Sequence, residues 1–542
     1  MKRYLLPGVL LIAAFLRLYA LAHVPPSPSL DEVSIGYNAY SLLHTGKDEY
    51  GNILPMLLRA YDDYRPALYV YLTIPFIAVM GLTAAAVRMP SVLLSILTVW
   101  IAYGIGKMIG KKYLSFPGLG LTAAFILAIS PWHIYISRLG HEANLGLTLV
   151  SLGAYFLLSA GIDGKKSSWI LSAIFMALSV HGYQSEKIVS PLMMLLGFII
   201  FWKQLLQAKK EVIISCVIGC VIALPAVVAT VSPEGMVRFR GTSAFSTDAP
   251  IMVRANERYI EAQQKQDRIG MMRNSRYTSY ATVFFENYTS HFSPLWMFSG
   301  KDREAHKVPG MGLMYLWEAP FLMLGLWALM RSKISKRVSL FIAVSLLIAV
   351  LPASVTTQAP HAMRAYTVLP FLQIVEAMGI WFISSGWNVK KQRLFTVSLS
   401  LFIAAGFVMF WNGYFVRFPN EQSDSFQYAL APAIRYALRE QQKYEHIEFS
   451  HQGSLYQSYM FFLFYTRFDP KRYLSLGGTR SGGYEASHTI GKYSFGFLPQ
   501  NPEKFTPNTL YFYDAKLVPS GARVIERFAN KDAVPVIVAA VK

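Results

Sequence analysis

The sequence predicts an α-helical polytopic membrane protein that carries an α/β domain at its carboxyl end. Hydrophobic residues make up 54% of its 542 residues and charged residues only 15%, whereas an ordinary soluble domain has about 25% charged residues. The apolar residues gather into runs, many of them close to the ~20 residues that a helix needs to cross a bilayer. The runs are 5–24, 67–80, 87–106, 113–131, 144–161, 168–182, 187–202, 212–230, 313–330, 338–353, 366–386 and 395–412.

The formal net charge of +20 would suit a nucleic-acid partner if it covered one surface. Instead, short clusters of Lys and Arg residues lie between apolar runs, which is typical of cytoplasmic loops. We therefore expect no nucleic-acid partner and use the clusters to orient the chain. They are Lys107, Lys111 and Lys112; Lys165 and Lys166; Lys203, Lys209 and Lys210; Arg331, Lys333, Lys336 and Arg337; and Lys390, Lys391 and Arg393.

The first run follows Lys2 and Arg3 and is long enough to span, although a cleaved signal peptide is the alternative. Run 67–80 is short and contains Pro75. If it is an embedded juxtamembrane helix that does not span, all five basic clusters fall inside, and about eleven crossings remain. The predicted outside segments are then 25–66, 131–143, 183–186, 231–312, 354–365 and 413–542.

Two domains follow from this division. Residues 1–412 form the membrane domain, and residues 413–542 form an extracytoplasmic α/β domain. Within the second, the apolar spacing predicts an amphipathic helix over 425–445. Short β-rich runs predict strands over 493–498, 510–514, 523–528 and 534–541.

Asp31 and Glu32 are adjacent carboxylates behind the stiff segment 25–28. Held near a bilayer surface, such a pair can bind a cation or act as a general base. The alternative is that Asp31 caps a helix over 33–43.

Several cations are predicted to face the same side. Arg65 precedes the embedded helix and could grip a phosphate with paired donors, or it could simply extend to the lipid headgroups. The remaining candidates lie in the shorter outside loops, where helix capping and interface anchoring are the alternative: Arg138 and Glu142, Lys187, and His361 with Arg364. No Gly-rich phosphate loop or nucleotide fingerprint appears in the sequence, so we expect a donor that is not a soluble nucleotide.

Together these stretches resemble the polyprenol-phosphate-sugar-dependent glycosyltransferases of the C-type membrane fold. The resemblance is to the protein O-mannosyltransferases and the lipid A aminoarabinose transferase, a family 39-like group. It rests on the order and spacing of motifs up to about residue 412. These are Ser29–Glu32, Asp63–Tyr69, Ala86–Ser91, Ser130–His133, Glu142–Asn144, Val308–Gly312 and His361–Tyr366.

The resemblance implies that Asp31 is the catalytic carboxylate, that Glu32 supports it and that Glu142 is a second acidic residue. It assigns the donor phosphate to Arg65; by their positions in the outside loops, Arg364, Lys187, Arg138 and His361 are further candidates.

The implied activity is inverting transfer of a hexosyl or pentosyl group from a polyprenyl-phosphate donor to an extracytoplasmic lipid, glycan or protein. The implied location is the plasma (inner) membrane. Whether a divalent metal ion takes part is left open. The alternative function is a transporter or flippase of a lipid-linked saccharide, which would lead us to expect duplicated halves.

The predicted topology can be tested with a reporter that is active only outside the cytoplasm. We expect activity after fusion at Pro55, Gly300 or Lys542 and silence after Lys112 or Lys391, because the basic clusters stay inside. Activity at Lys112 would show instead that run 67–80 spans.

Overall fold

The structure is a computed structural model, and it describes residues 4–116, 118–245, 250–300, 306–331, 334–483 and 486–542. Lys2, Arg3 and Lys333 lie outside the described residues. Every predicted apolar run contains a helix, so the mostly helical fold class is confirmed. The helices up to residue 231 are α1 (Leu5–Leu18), α2 (Leu30–Thr45), α3 (Leu68–Met80), α4 (Ala84–Ile109), α5 (Leu119–Ile129), α6 (Pro131–Ser137), α7 (Ala143–Asp163), α8 (Ser167–Ser179), α9 (Glu186–Ile200), α10 (Trp202–Leu206) and α11 (Lys209–Val231).

The remaining helices belong to a predicted outside segment, to later apolar runs and to the C-terminal region. They are α12 (Pro233–Thr242), α13 (Pro250–Gln264), α14 (Arg268–Arg273), α15 (Arg276–Ser290), α16 (Pro294–Phe298), α17 (Glu318–Arg331), α18 (Lys336–Ala349), α19 (Leu351–Ser354), α20 (Phe371–Ser384), α21 (Val389–Trp411), α22 (Phe418–Glu421), α23 (Leu430–Glu440), α24 (Ser458–Thr466) and α25 (Pro470–Ser475). A two-stranded hairpin, β1 (Leu57–Ala60) with β2 (Asp63–Pro66), precedes α3.

Within the described residues, six helical segments are long and apolar enough to cross a membrane, and a seventh arises if α5 and α6, bent by 58°, form one span. Helices α1, α3 and α8 are apolar but shorter, with 14, 13 and 13 residues. The chain is thus a multi-pass membrane protein. The count of eleven crossings stays a prediction, because it depends on these shorter helices. The six segments are Ala84–Leu114, Ala143–Asp163, Lys209–Val231, Lys336–Ser354, Tyr366–Ser384 and Val389–Glu421.

Contacts between residues divide the chain into two compact units. The first unit comprises Met1–Arg17, Leu93–Ile136 and Glu142–Phe410, and the second comprises Leu18–Val92, Ser137–His141 and Trp411–Lys542. The boundary predicted at residue 413 stays a prediction about domains. By contacts, however, the C-terminal region groups with the segment that contains Asp31.

Glycines bring two helices of the first unit close together. A Cβ atom on Gly325 of α17 would meet the carbonyl oxygen of Val375 on α20, and one on Gly379 would meet that of Phe321. Small residues allow this close backbone approach, which is how membrane helices gain packing energy without a hydrophobic driving force. In the same unit, the buried Arg17 donates to the carbonyl of Ala128 at 2.9 Å.

The C-terminal region contains a six-stranded mixed sheet in the order β4-β5-β3-β6-β8-β7. The three neighbours β5, β3 and β6 are parallel, and the other pairs are antiparallel. All four predicted strands are present, whereas β3 and β4 were not predicted. The strands are β3 (His446–Ser450), β4 (His488–Ile490), β5 (Tyr493–Gly496), β6 (Thr509–Asp514), β7 (Arg523–Ala529) and β8 (Pro535–Val541).

Candidate active site

Helix α2 begins with a complete capping box. The backbone N–H of Ser29 donates to Glu32 Oε2 at 2.7 Å, and the N–H of Glu32 donates to Ser29 Oγ at 3.3 Å. Ser29 is therefore the N-cap, and the helix begins at Leu30. The interpretation of Asp31 as the cap is wrong: Ser29 supplies the capping oxygen two residues earlier, which frees Asp31 for another role.

The Glu32 carboxylate is buried and surrounded by donors. Arg88 donates to it through Nε at 2.6 Å and through Nη2 at 3.1 Å. The backbone N–H of Gly140 donates to Oε1 at 2.8 Å. Only 1% of Glu32 is exposed. These contacts give Glu32 a supporting position, because its oxygens are occupied by the protein's own donors.

Arg88, on α4, also fixes the chain that leads into α2. Its terminal nitrogens donate to the carbonyls of Leu21 at 2.8 Å, Pro25 at 3.2 Å and Ser27 at 2.8 Å. With the two bonds to Glu32, the guanidinium makes five hydrogen bonds in a fully buried position. A buried charge is tolerated only when its hydrogen-bonding groups have partners. Arg88 is not among the predicted site residues because it lies within the apolar run 87–106, although a charge at such a position is itself a signal.

Asp31 faces a different direction from its neighbour. Its Oδ1 accepts from Arg65 Nη2 at 2.6 Å, and half of its side chain is exposed, against 7% for Arg65. Arg65 lies on β2 opposite Leu58 of β1. Between these strands, the hydroxyl of Tyr61 donates to the carbonyl of Leu30 at 2.9 Å, which ties the hairpin to the start of α2. The second unit thus brings together two predicted site residues, Asp31 and Arg65.

Arg138 lies in the same unit, and its contacts are structural. It donates to the carbonyl of Val24 at 2.7 Å. Its guanidinium lies over the rings of Phe415, at 5.0 Å, and Tyr414, at 5.5 Å. The side chain is buried, so these contacts anchor the chain segment around Val24.

The other predicted residues belong to the first unit. Glu142 is buried at the N-cap position of α7 and makes no capping bond through its side chain. Lys187 lies in the first turn of α9. The N–H of His361 donates to His291 Nε2 at 3.1 Å, and the N–H of Arg364 donates to His361 Nδ1 at 3.4 Å. His361 and Arg364 therefore share one hydrogen-bonded loop.

Among the described residues, no three His, Cys, Asp or Glu side chains are grouped as metal ligands would be. We therefore derive no step through a metal ion. The first unit also contains an apolar cavity of 580 Å³ between α17 and α21. Aromatic side chains that include Tyr315, Trp317 and Phe402 line it.

Comparison with known proteins identifies the fold. Residues 64–229 match the family model of dolichyl-phosphate-mannose-protein mannosyltransferase. The crystal structure of ArnT from Cupriavidus metallidurans bound to undecaprenyl phosphate is similar over 99% of this chain and 98% of that chain, with a TM-score of 0.56 and 11% identity. The chain therefore has the fold of ArnT, and part of it matches a mannosyltransferase family model. No curated protein sequence is significantly similar to it.

A second structural likeness supports this fold. AglB from the archaeon Archaeoglobus fulgidus, an oligosaccharyltransferase in complex with an inhibitory peptide and a dolichol-phosphate, has a TM-score of 0.51 and 12% identity. The match covers 85% of this chain and 64% of that one. The family resemblance predicted from the sequence is therefore confirmed.

The Arg88–Glu32 pair should determine the stability of the second unit. Arg88→Met leaves a buried carboxylate without its cation, which typically costs ~3–5 kcal/mol. We therefore expect a large fall in the thermal unfolding temperature in detergent. Arg417→Met is the matched control: it breaks an exposed pair with Glu421 of similar length, 2.8 Å, and surface pairs contribute only ~0–1 kcal/mol. Equal losses in the two variants would contradict this assignment.

Proposed function

We propose that this protein is a membrane glycosyltransferase that moves a hexosyl or pentosyl group from a polyprenyl-phosphate donor to an extracytoplasmic lipid, glycan or protein acceptor. The observation that carries the proposal is the half-exposed carboxylate of Asp31, held at 2.6 Å by Arg65. The match to the mannosyltransferase family model and the ArnT-like fold support the donor class. Direct displacement at the anomeric carbon would invert its configuration.

Asp31 is proposed as the general base that accepts the acceptor's proton. It lies in the first turn of α2, where the helix dipole favours a negative charge. The neighbouring Arg65 also favours the ionised form, because an opposite charge within ~4–6 Å stabilises it. The carboxylate form is the one that a general base needs, and Glu32 and Arg88 hold the helix start in place.

Arg65 is proposed to share its charge with the leaving phosphate. Charge develops on the phosphate as the glycosidic bond breaks, and a fixed cation there lowers the barrier. In the first unit, Glu142 is proposed as a second acidic residue, and Arg364, Lys187 and His361 as further phosphate contacts. We do not assign this role to Arg138, which packs against Tyr414 and Phe415.

We also propose that the chain crosses the plasma (inner) membrane eleven times, with the site and the C-terminal domain on the extracytoplasmic side. The apolar cavity of 580 Å³ lies within the ~300–1,000 Å³ typical of ligand sites, and its aromatic lining suits part of an isoprenoid tail.

Asp31→Asn tests the base. Asparagine keeps the size and most hydrogen bonds, and Ser29 rather than Asp31 caps the helix, so the variant should fold normally. Removal of a general base usually lowers the rate by ~10²–10⁴-fold. The measurement is transfer from polyprenyl-phosphate-linked hexose and pentose donors by purified protein, with thermal stability recorded in parallel. Near-normal turnover would contradict the assignment of Asp31 as the base. Loss of turnover with donor binding retained would exclude a transporter.

Arg65→Ala tests the phosphate contact. Hydrogen bonds to charged groups contribute ~1.5–3 kcal/mol, so donor use should fall roughly ten- to a hundredfold. Arg59→Ala is the matched control, because Arg59 lies on the neighbouring strand β1, pairs with Asp62 at 3.7 Å and is more exposed than Arg65. If Arg65→Ala and Arg59→Ala transfer sugar equally well, the phosphate is held elsewhere.

A further inference from the structure

Glu49 is a fully buried acidic residue in the loop that follows α2. Its carboxyl group has two side-chain partners from distant parts of the second unit. Asn38 of α2 donates through Nδ2 to Oε1 at 2.9 Å, and Thr479 donates through its hydroxyl to Oε2 at 2.7 Å. One acidic side chain therefore bonds both α2 and the C-terminal region.

Backbone bonds run parallel to these side-chain bonds. The N–H of Glu49 donates to Asn38 Oδ1 at 3.0 Å, and the N–H of Thr479 donates to the carbonyl of Glu49 at 3.0 Å. Asn38 is seven residues after Asp31, so the two lie on the same face of α2, about 10 Å apart along its axis. The hydrogen bonds of Glu49 thus hold the same face of α2 on which Asp31 lies.

The link can stay hydrogen-bonded whether or not Glu49 carries a proton. Thr479 Oγ1 also bonds the hydroxyl of Tyr473 at 2.8 Å. With Glu49 ionised, Tyr473 donates to Thr479, which donates to the carboxylate. With Glu49 protonated, its carboxyl group donates to the hydroxyl of Thr479. The hydroxyl of Thr479 then donates to that of Tyr473, since each hydroxyl can both donate and accept.

Burial raises the pKa of Glu49 from 4.5 to about 7. The folded protein therefore holds this proton more tightly than the unfolded chain does. The contribution of Glu49 to stability should then fall as the pH rises from about 4.5 to about 7 and change little above that. The titratable groups around Glu49 are Asp48, Arg65, Tyr37, Tyr50, Tyr61, Tyr459 and Tyr473.

We propose that Glu49 is a positioning residue for sugar transfer: its buried carboxyl group is a polar link that holds helix α2, and with it Asp31, against residues 477–483 of the C-terminal domain. The effect on transfer rests on the proposed function. The link itself does not, because it is a property of the folded protein that unfolding experiments measure without any substrate.

The first experiment measures the link alone. Glu49→Gln copies the protonated form, since its amide can donate to Thr479 while its carbonyl accepts from Asn38. Its unfolding temperature should equal that of the wild type at pH 5 and exceed it by about 2–4 °C at pH 8. A difference that does not change with pH would show that Glu49 is not buried as the link requires, and it would overturn the proposal whatever the outcome for Asp31.

The second experiment measures positioning. Glu49→Ala should lower kcat for transfer from a polyprenyl-phosphate-linked sugar at least tenfold, with binding of undecaprenyl phosphate unchanged. Glu49→Gln should restore kcat to within about twofold of wild type, which a direct acid–base role would not allow.

Asp48→Asn is the matched control for the loss of a buried carboxylate. Among the residues that the structure describes, the Asp48 side chain bonds within its own turn, to the N–H groups of Tyr50 at 3.0 Å and Asn52 at 2.8 Å and to the Asn52 side chain at 3.0 Å. We expect near-normal kcat. A loss in Asp48→Asn as large as in Glu49→Ala, or no rescue by Glu49→Gln, would overturn the positioning role.

Discussion

The buried ion pair between Arg88 and Glu32 is the interaction on which the rest of the candidate site depends. Two charges removed from water are tolerated only when their hydrogen-bonding capacity is filled. The structure fills that of Arg88 with three backbone carbonyls and a carboxylate. Because those carbonyls lie between Leu21 and Ser27, the pair also fixes the path of the chain into α2. Gly140 joins the same cluster through its N–H. The start of α2 is therefore held from several directions before Asp31 meets any substrate.

Adjacent carboxylates acquire opposite environments from helix geometry alone. Successive residues of an α-helix point about 100° apart, so one of the two side chains can turn inward while the other turns outward. Glu32 is 1% exposed, whereas half of the Asp31 side chain is exposed. A one-residue shift of the helix start would exchange these environments. The capping box at Ser29 prevents such a shift, because its two reciprocal bonds fix which residue begins the helix.

The sequence was most informative where a signal was local. Apolar runs located the helices, and β-rich runs located β5 to β8, because both signals depend on neighbouring residues. Strands β3 and β4 have only five and three residues, too few for a clear alternating pattern. The error over the cap arose because Asp31 and Ser29 are both good capping residues, and only the backbone geometry decides between them. Glu49 could not have been found, since its partner Thr479 lies 430 residues away. The pairing of Asp31 with Arg65 could be anticipated only through the family resemblance.

The C-terminal region has a structural connection to α2 that its position in the sequence does not suggest. A Cβ atom on Gly36 would lie 2.6 Å from the ring of Phe464 on α24, so only glycine permits this approach. One residue later, the hydroxyl of Tyr37 donates to the carbonyl of Phe468 at 3.2 Å. Ser27, whose carbonyl Arg88 binds, bonds the hydroxyl of Tyr465 at 2.8 Å. These contacts, together with Glu49, run along α2 from its start to the loop after it. A domain that only recruited an acceptor would need no such continuous packing, so the contacts favour support of the Asp31 helix as its role.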